Sequence, residues 1–240
     1  MFLSVIIPCY NESRRIVKNL DIKIKYLKDQ KYDWEIVLVD DGSSDNTKKL
    51  AKIIIKKYPK HNIRLVSYRK NQGKGYAVKT GMLAAKGQYR LFSDLDNSTE
   101  IKELKKMIPF IKNHDIIIGS RYLGKSNISK KQSFLRRLIS RGGNLFIRIV
   151  IGLPYKDTQC GFKLFSDKSA KMIFSKSLIN RWGFDIEILL LSKHIGLKVK
   201  EVAVDWQDEA DSKLNPIKAA WSVLLETIKI KYYLYSGKYK

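Results

Sequence analysis

Acidic residues are scarce in this chain: 23 Asp plus Glu stand against 47 Lys plus Arg in 240 residues, a formal charge of +24. That excess points to an anionic partner, whether nucleic acid, an acidic membrane surface or a phosphorylated substrate. Cysteine is scarcer still. Cys9 and Cys160 are the only two, far apart and outside any CxxC spacing, so neither a disulfide framework nor a zinc site is suggested and a reducing, cytosolic environment fits best. His61, His114 and His194 complete the histidine inventory and share no ligand spacing. No stretch offers the roughly 20 uninterrupted apolar residues of a membrane span. The opening MFLSVIIPCYNES has no basic leader and breaks at Pro8, so it reads as a strand rather than a signal peptide. Any meeting with a membrane is therefore expected at its surface.

What the sequence does contain is a regular alternation. LSVIIP, EIVLVDD, NIRLVSY and YRLFSD are short apolar, β-rich runs. Between them lie helical patterns: Ile16, Leu20, Ile24 and Leu27 in the first, Lys48 to Lys57 in the second, Gly75 to Ala85 in the third. A fifth run, DIIIGSR, follows. Strand and helix at this interval predict βαβ units and an α/β fold with a mainly parallel sheet flanked by helices. Ligands of such sheets sit beyond the carboxyl ends of the strands. PCYNE, DDGSSD and DLDNS all fall there.

Beyond residue 130 the pattern changes. Leu135 to Leu153 places Leu135, Ile139, Phe146, Val150 and Leu153 on one helical face and Arg137, Arg141, Asn144 and Arg148 on the other. The last segment aligns Ile217, Trp221, Leu224, Leu225, Ile228, Tyr232 and Tyr235 on one side. Such aromatics and lysines are preferred at a lipid–water boundary. The expected organisation is one α/β unit over 1–210, whose basic amphipathic helix at about 135–153 fits either core packing with its arginines in water or a membrane interface, and an amphipathic segment over 211–240.

Asp94 and Asp96 stand one residue apart after an apolar run. In extended backbone that spacing puts both carboxylates on one side, a pattern suited to a hard divalent ion, and Ser98 could add an oxygen. Ser43, Ser44 and Asp45 read better as a turn and helix cap than as catalytic groups. Asp40 and Asp41 are adjacent acids that need donors, such as ribose hydroxyls or a base N–H. Lys74, between Gly73 and Gly75, fits a glycine-enabled turn and a phosphate-facing loop equally well.

The set VIIPCYNE, EIVLVDDGSSDNT, NQGKGYAVKTGM, SDLDNSTEI, IIIGSR, DTQCGFKLF, RWGFDIEILLL and EVAVDWQDEADSKLNP resembles family 2 glycosyltransferases of the GT-A fold. Within these it is most similar to polyprenyl-phosphate glycosyltransferases, in particular the dolichyl-phosphate β-glucosyltransferase branch. The resemblance implies that Pro8, Tyr10, Glu12, Val39 and Asp41 hold the nucleoside, with Lys74, Asp94 and Asp96 completing the nucleotide-sugar site. Asp94 and Asp96, with Ser98 as third candidate, would hold Mg²⁺ or Mn²⁺. Arg121 and Lys213 would face acceptor phosphate, joined by Arg137 on the basic helical face, and Asp157 would lie near the reacting centre. Asp96, Asp157 and Arg121 are then the expected catalytic residues. Related mannosyltransferases carry a Gln where this chain has Ser98, and Asp211, Ser212 and Lys213 replace a common GSK.

The implied reaction is inverting attack of a polyprenyl or dolichyl phosphate on a nucleotide sugar, UDP-glucose first, with UDP-N-acetylglucosamine and GDP-mannose behind it. The implied setting is the cytoplasmic face of a membrane, held peripherally, with no nucleic acid and with room for a homo-oligomer. Of Asp185 and Glu187, Asp185 is favoured for the site. The rivals are a basic nucleic-acid binder, a nucleotidyltransferase of the same fold, and a glycosyltransferase acting on a sugar hydroxyl.

Overall fold

A computed structural model describes residues 1–124, 126, 134–207 and 216–239, the side chains of 134–141 and 216–220 excepted. The apolar runs form β1 (Leu3–Cys9), β2 (Trp34–Asp40), β3 (Asn62–Ser67), β4 (Tyr89–Ser93) and β5 (Ile116–Ser120). Two further strands, β6 (Phe162–Ser166) and β7 (Val199–Ala203), complete a seven-stranded sheet in the order β3-β2-β1-β4-β6-β5-β7. All neighbours run parallel except β6, which pairs antiparallel with both β4 and β5. Parallel strands covered on both faces need apolar residues at successive positions, and β2 is buried along its whole length.

The helices are α1 (Ile16–Lys28), α2 (Thr47–Lys57), α3 (Lys74–Ala84), the short α4 (Leu104–Met107), α5 (Phe134–Ile151), α6 (Asp167–Lys176), α7 (Phe184–His194) and α8 (Pro216–Tyr235). Ile16, Leu20, Ile24 and Leu27 of α1 pack with α2 and α4 on one sheet face. Met82 of α3, Ile173 of α6, Ile188 of α7, Ile151 of α5 and Ile230 of α8 cover the other. Each such fully buried aliphatic side chain contributes about 2 kcal/mol of transfer free energy. Because β1 pairs with β2 on one side and β4 on the other, the chain reverses its winding there, and the carboxyl ends of all three strands open on one edge.

The expected face of the basic helix is corrected. Ile147 and Ile151 are its buried residues, while Leu145, Phe146 and Ile149 are exposed and Val150 is half-buried. Leu153 of the expected face is buried, but within the described part of the helix the stripe through Ile147 and Ile151 packs inward in place of Phe146. The side chains of Leu135, Arg137, Ile139 and Arg141 lie outside the described residues. In α8, Trp221, Leu225, Ile228, Tyr232 and Tyr235 are exposed, whereas Val223, Thr227 and Ile230 face inward. No described helix is long and apolar enough to cross a membrane.

Candidate active site

The loops after β1 and β2 are stitched to each other. Asn11, in left-handed backbone at φ 54°, accepts the Ser44 N–H at 2.9 Å on its side-chain oxygen. The Asn11 and Glu12 N–H groups donate to the Ser43 and Thr47 hydroxyls at 3.0 and 2.7 Å. Asp45 accepts the N–H of Thr47 at 2.9 Å, and Asp45 is held down to about 2 because its hydrogen bonds to Thr47 and Ser13 outweigh its burial. That is the turn-and-cap role the sequence indicates. Pro8 and Val39 are register partners in β1 and β2. Val39 is fully buried and Tyr10 exposed, so Val39 shapes this edge from beneath while Tyr10 is open to a ligand. Glu12 pairs with Arg15.

Asp41 finds its donors within the chain. Asn71 Nδ2 and the N–H groups of Gln72 and Gly73 donate to its carboxylate at 2.7, 2.8 and 2.9 Å. Gly73 reaches this position at φ +108°, a conformation glycine adopts without steric cost. The ribose or base donors expected for Asp41 are thus not required to relieve it. Asp40 accepts the N–H of Ser43 at 3.2 Å.

Asp94 and Asp96 do not sit in extended backbone: β4 ends at Ser93 and the chain turns at Leu95 and Asp96. Leu95 is buried in the core, which leaves the flanking carboxylates on the outer side together. Ser98 contributes its N–H to Asp96 at 3.0 Å. Burial and the nearby Asp96 and Asp185 push the Asp94 carboxyl above the usual carboxylate range, against the pull of Lys74. The Lys74 ammonium lies 2.7 Å from Asp94 Oδ1, above the rings of Phe92 and Trp182 at 5.3 and 5.4 Å. Asn97, at φ 61°, buries an amide whose nitrogen and oxygen find no partner among the described residues. A carboxylate pair that already draws a cation, beside an unsatisfied amide, fits a divalent ion held partly by protein and partly by substrate oxygens. No described cluster supplies three acidic, cysteine or histidine ligands.

Arg121 and Asp157 form a second centre. Nε and Nη2 of Arg121 donate to the two carboxylate oxygens at 2.7 and 2.9 Å. Burial would raise the Asp157 carboxyl, but the guanidinium outweighs it and holds Asp157 below the usual range. Glu201 of β7 fixes the loop by accepting the N–H groups of Lys156 and Asp157 at 3.0 and 2.8 Å. Four residues on, Gly161 accepts the Asp94 N–H at 3.1 Å, tying this centre to the acidic turn. Gln207 N–H donates to Ser98 at 2.8 Å, and the Trp206 ring lies 5.6 Å from the Arg121 guanidinium.

Three residues near the site carry no local sequence signal. Lys23, in the middle of α1, is fully buried, and its ammonium donates to Ser93 Oγ at 3.0 Å. Lys163 of β6 is equally buried, donating to Cys160 O at 2.6 Å and to Asp185. Gly161 has no room for a side chain: a Cβ there would lie 1.8 Å from Asp94 Oδ2. Asp185 faces the site, but from the first turn of α7 rather than from a strand. Glu187 turns away to accept the Tyr239 hydroxyl at 2.7 Å. Lys213 lies outside the described residues, as does the side chain of Arg137.

A parallel sheet with its reversal between β1 and β4, polar loops stitched at that edge and an acidic DxD turn beside them defines a GT-A-type nucleotide-sugar glycosyltransferase. The chain belongs to glycosyltransferase family 2, whose sequence model matches residues 4–174. It is 40% identical to a dolichyl-phosphate beta-glucosyltransferase of Dictyostelium discoideum, over 100% of this chain and 77% of that one. It is 34% identical to the Homo sapiens enzyme of the same name, over 92% of this chain and 71% of that one. Among solved structures, glucosyl-3-phosphoglycerate synthase from Mycobacterium tuberculosis, in complex with Mn²⁺, UDP and glucosyl-3-phosphoglycerate, shares the fold. The TM-score is 0.70 at 19% identity, over 95% of this chain and 79% of that one. The same enzyme with Mg²⁺ and UDP gives 0.69 at 18% identity, over the same shares of the two chains.

Proposed function

We propose that this glycosyltransferase moves glucose from UDP-glucose to a dolichyl or related polyprenyl phosphate, with inversion at the anomeric carbon. The observation that carries this reading is the likeness, from end to end of the chain, to relatives named for that reaction. In the reaction a phosphate oxygen of the lipid forms a bond to the anomeric carbon. The bond from that carbon to UDP breaks, its electron pair leaving on the β-phosphate oxygen.

A phosphate monoester has a second pKa of about 6 and is already an anion near neutral pH, so the nucleophile needs no general base. Asp157 suits that chemistry as a positioning group, because its carboxylate is engaged by Arg121. Arg121 keeps one terminal nitrogen outside that pair and can meet the incoming phosphate. Pro8, Tyr10, Glu12 and Asp41 are assigned to the nucleoside edge, and Asp94 and Asp96 to Mg²⁺ or Mn²⁺. When bound, that cation offsets negative charge developing on the departing diphosphate.

The exposed apolar stripe of α8, the exposed Leu145 and Ile149 of α5 and the +24 formal charge support peripheral docking on an anionic membrane surface. Each nearby Lys or Arg adds about 1 kcal/mol. A lipid acceptor made on the cytoplasmic face would then meet the site without leaving the bilayer.

The test is transfer of label from a panel of radiolabelled nucleotide sugars to a short polyprenyl phosphate, counted in the organic phase. Label from UDP-glucose, lost with chelator and in Asp94→Ala, is the expected result. No organic-phase label from any donor, with metal-dependent release of UDP persisting, overturns the lipid acceptor and favours a soluble phosphate acceptor.

A further inference from the structure

Lys74 carries a consequence beyond donor binding, because its ammonium rests on Asp94, a carboxylate assigned to the cation. The two oxygens of Asp94 are not equivalent. Oδ2 is turned against Gly161, so close that a Cβ on that residue would lie 1.8 Å away. Oδ1 is the oxygen held by Lys74 at 2.7 Å. The two residues are also joined through the backbone, since Asp94 N–H donates to Gly161 O at 3.1 Å.

The ammonium is itself held where it is. It stands over the rings of Phe92 and Trp182, with the carboxylates of Asp185 and Asp96 near it in addition to that of Asp94. Gly75 allows this seat: a Cβ there would lie 2.5 Å from the Ile179 carbonyl oxygen and 2.7 Å from Phe184 Cβ. The segment bearing Trp182 therefore closes directly over the start of α3.

We propose that Lys74 and the divalent cation compete for Asp94 Oδ1, and that the nucleotide diphosphate resolves the competition by giving the ammonium a second anionic partner. The cation then enters with the nucleotide rather than before it. By linkage, whatever factor the nucleotide adds to cation affinity the cation adds to nucleotide affinity, and couplings of this kind are typically about 5- to 150-fold. Competition at one oxygen differs from general repulsion between like charges, and Lys23 makes the difference measurable. Its buried ammonium is near the same carboxylates but contacts Ser93 rather than Asp94 Oδ1.

The inference rests on the donor-site reading, and the experiment separates the two. Free Mn²⁺ is followed by its electron paramagnetic resonance signal as protein is added, with and without UDP, for wild type, Lys74→Met and Lys23→Met. Circular dichroism checks each fold, and Lys74→Gln serves if the methionine variant fails to fold. Wild type is expected to bind Mn²⁺ weakly alone and on the order of tenfold or more tightly with UDP. Lys74→Met is expected to bind Mn²⁺ alone on the order of tenfold more tightly than wild type, with a correspondingly smaller gain from UDP. Lys23→Met should change Mn²⁺ affinity much less. Equal Mn²⁺ affinity in Lys74→Met and wild type, or an equal gain in both lysine variants, overturns the competition. Wild type that binds no Mn²⁺ even with UDP removes the donor-site reading and the inference with it.

Discussion

Arg121 holds Asp157 by three donors, its Nε at 2.7 Å, its Nη2 at 2.9 Å and its own backbone N–H at 3.0 Å. A carboxylate so engaged is a poor proton acceptor, because taking a proton would break two charge-assisted hydrogen bonds to a half-buried guanidinium. The arrangement suits an acceptor that brings its own negative charge.

Asp157→Asn should therefore lower the rate without removing a titration. The acidic limb of the pH–rate profile, set near 6 by the acceptor phosphate, is expected to persist in the variant. The rate falls on the order of tenfold to a hundredfold as Arg121 loses its position. Stability should fall by about 2–4 kcal/mol, short of a fully buried pair, because the Arg121 side chain keeps 19% of its surface exposed. The wild-type contribution is present above the unfolded carboxyl pKa of about 3.9 and is lost as pH falls below it, since the folded value lies lower. Loss of the acidic limb in Asp157→Asn would instead make Asp157 the base.

Gly161→Ala tests the seat of Asp94. The added methyl cannot coexist with Oδ2 in its present place, and the neighbouring Asp94 N–H bond ties the two backbones together. The carboxylate must rotate or the turn must open. The expected outcome is a folded protein by circular dichroism, with Mn²⁺-dependent UDP binding weakened at least about tenfold, a loss of about 1.4 kcal/mol. Unchanged binding by calorimetry would show that the turn yields at no cost.

Lys23 predicts a pH dependence of stability. Burial pushes its ammonium down to about 8, the charges of Asp96 and Asp94 only partly opposing it, whereas an unfolded lysine titrates near 10.4. Between these values the unfolded chain binds more protons than the folded one, so stability rises with pH from about 8 to 10. Lys23→Met should be more stable than wild type by about 2–3 kcal/mol at pH 7, with the gap closing towards pH 10. Urea midpoints for the two proteins that run parallel across that window would refute it.

How much of this was legible in the sequence depended on whether a residue's role showed in its neighbours. Strands β1 to β5 were legible because each is a continuous apolar run, and the donor edge because three polar clusters follow parallel strands. β6 was not, since FKLFS contains Lys163, whose burial depends on Asp185 22 residues away. β7 sets two adjacent charged residues, Lys200 and Glu201, in mid-strand, which resembles an exposed edge until the Asp157 loop is placed against Glu201. Lys23 is one of four lysines in α1 and differs from the others only through the core above it. The inward face of α5 is not legible because its apolar residues form overlapping stripes, and only what packs against the helix, α8 among it, selects one.

The exposed stripe of α8 yields a prediction in which fold and docking separate. Trp221, Leu225, Ile228, Tyr232 and Tyr235 recur at spacings of four and three, and Trp221 and Leu225 are 62% and 61% exposed. Val223 and Ile230 hold the helix to the domain from the other side, with Glu226 accepting the Gly183 N–H at 2.6 Å. Leu225→Glu with Ile228→Glu should therefore leave the thermal midpoint within a few degrees, because neither side chain is in the core. On a bilayer the same two changes forfeit about 1.5–3 kcal/mol of apolar burial each and add negative charge at an anionic surface. Sedimentation with vesicles containing phosphatidylserine should show binding reduced at least about a hundredfold, the equivalent of 2.8 kcal/mol. Transfer to a short, water-soluble acceptor phosphate should be unchanged, while transfer to an acceptor embedded in the vesicles falls. Equal vesicle binding by variant and wild type would remove α8 from the docking surface and leave the basic charge alone to account for it.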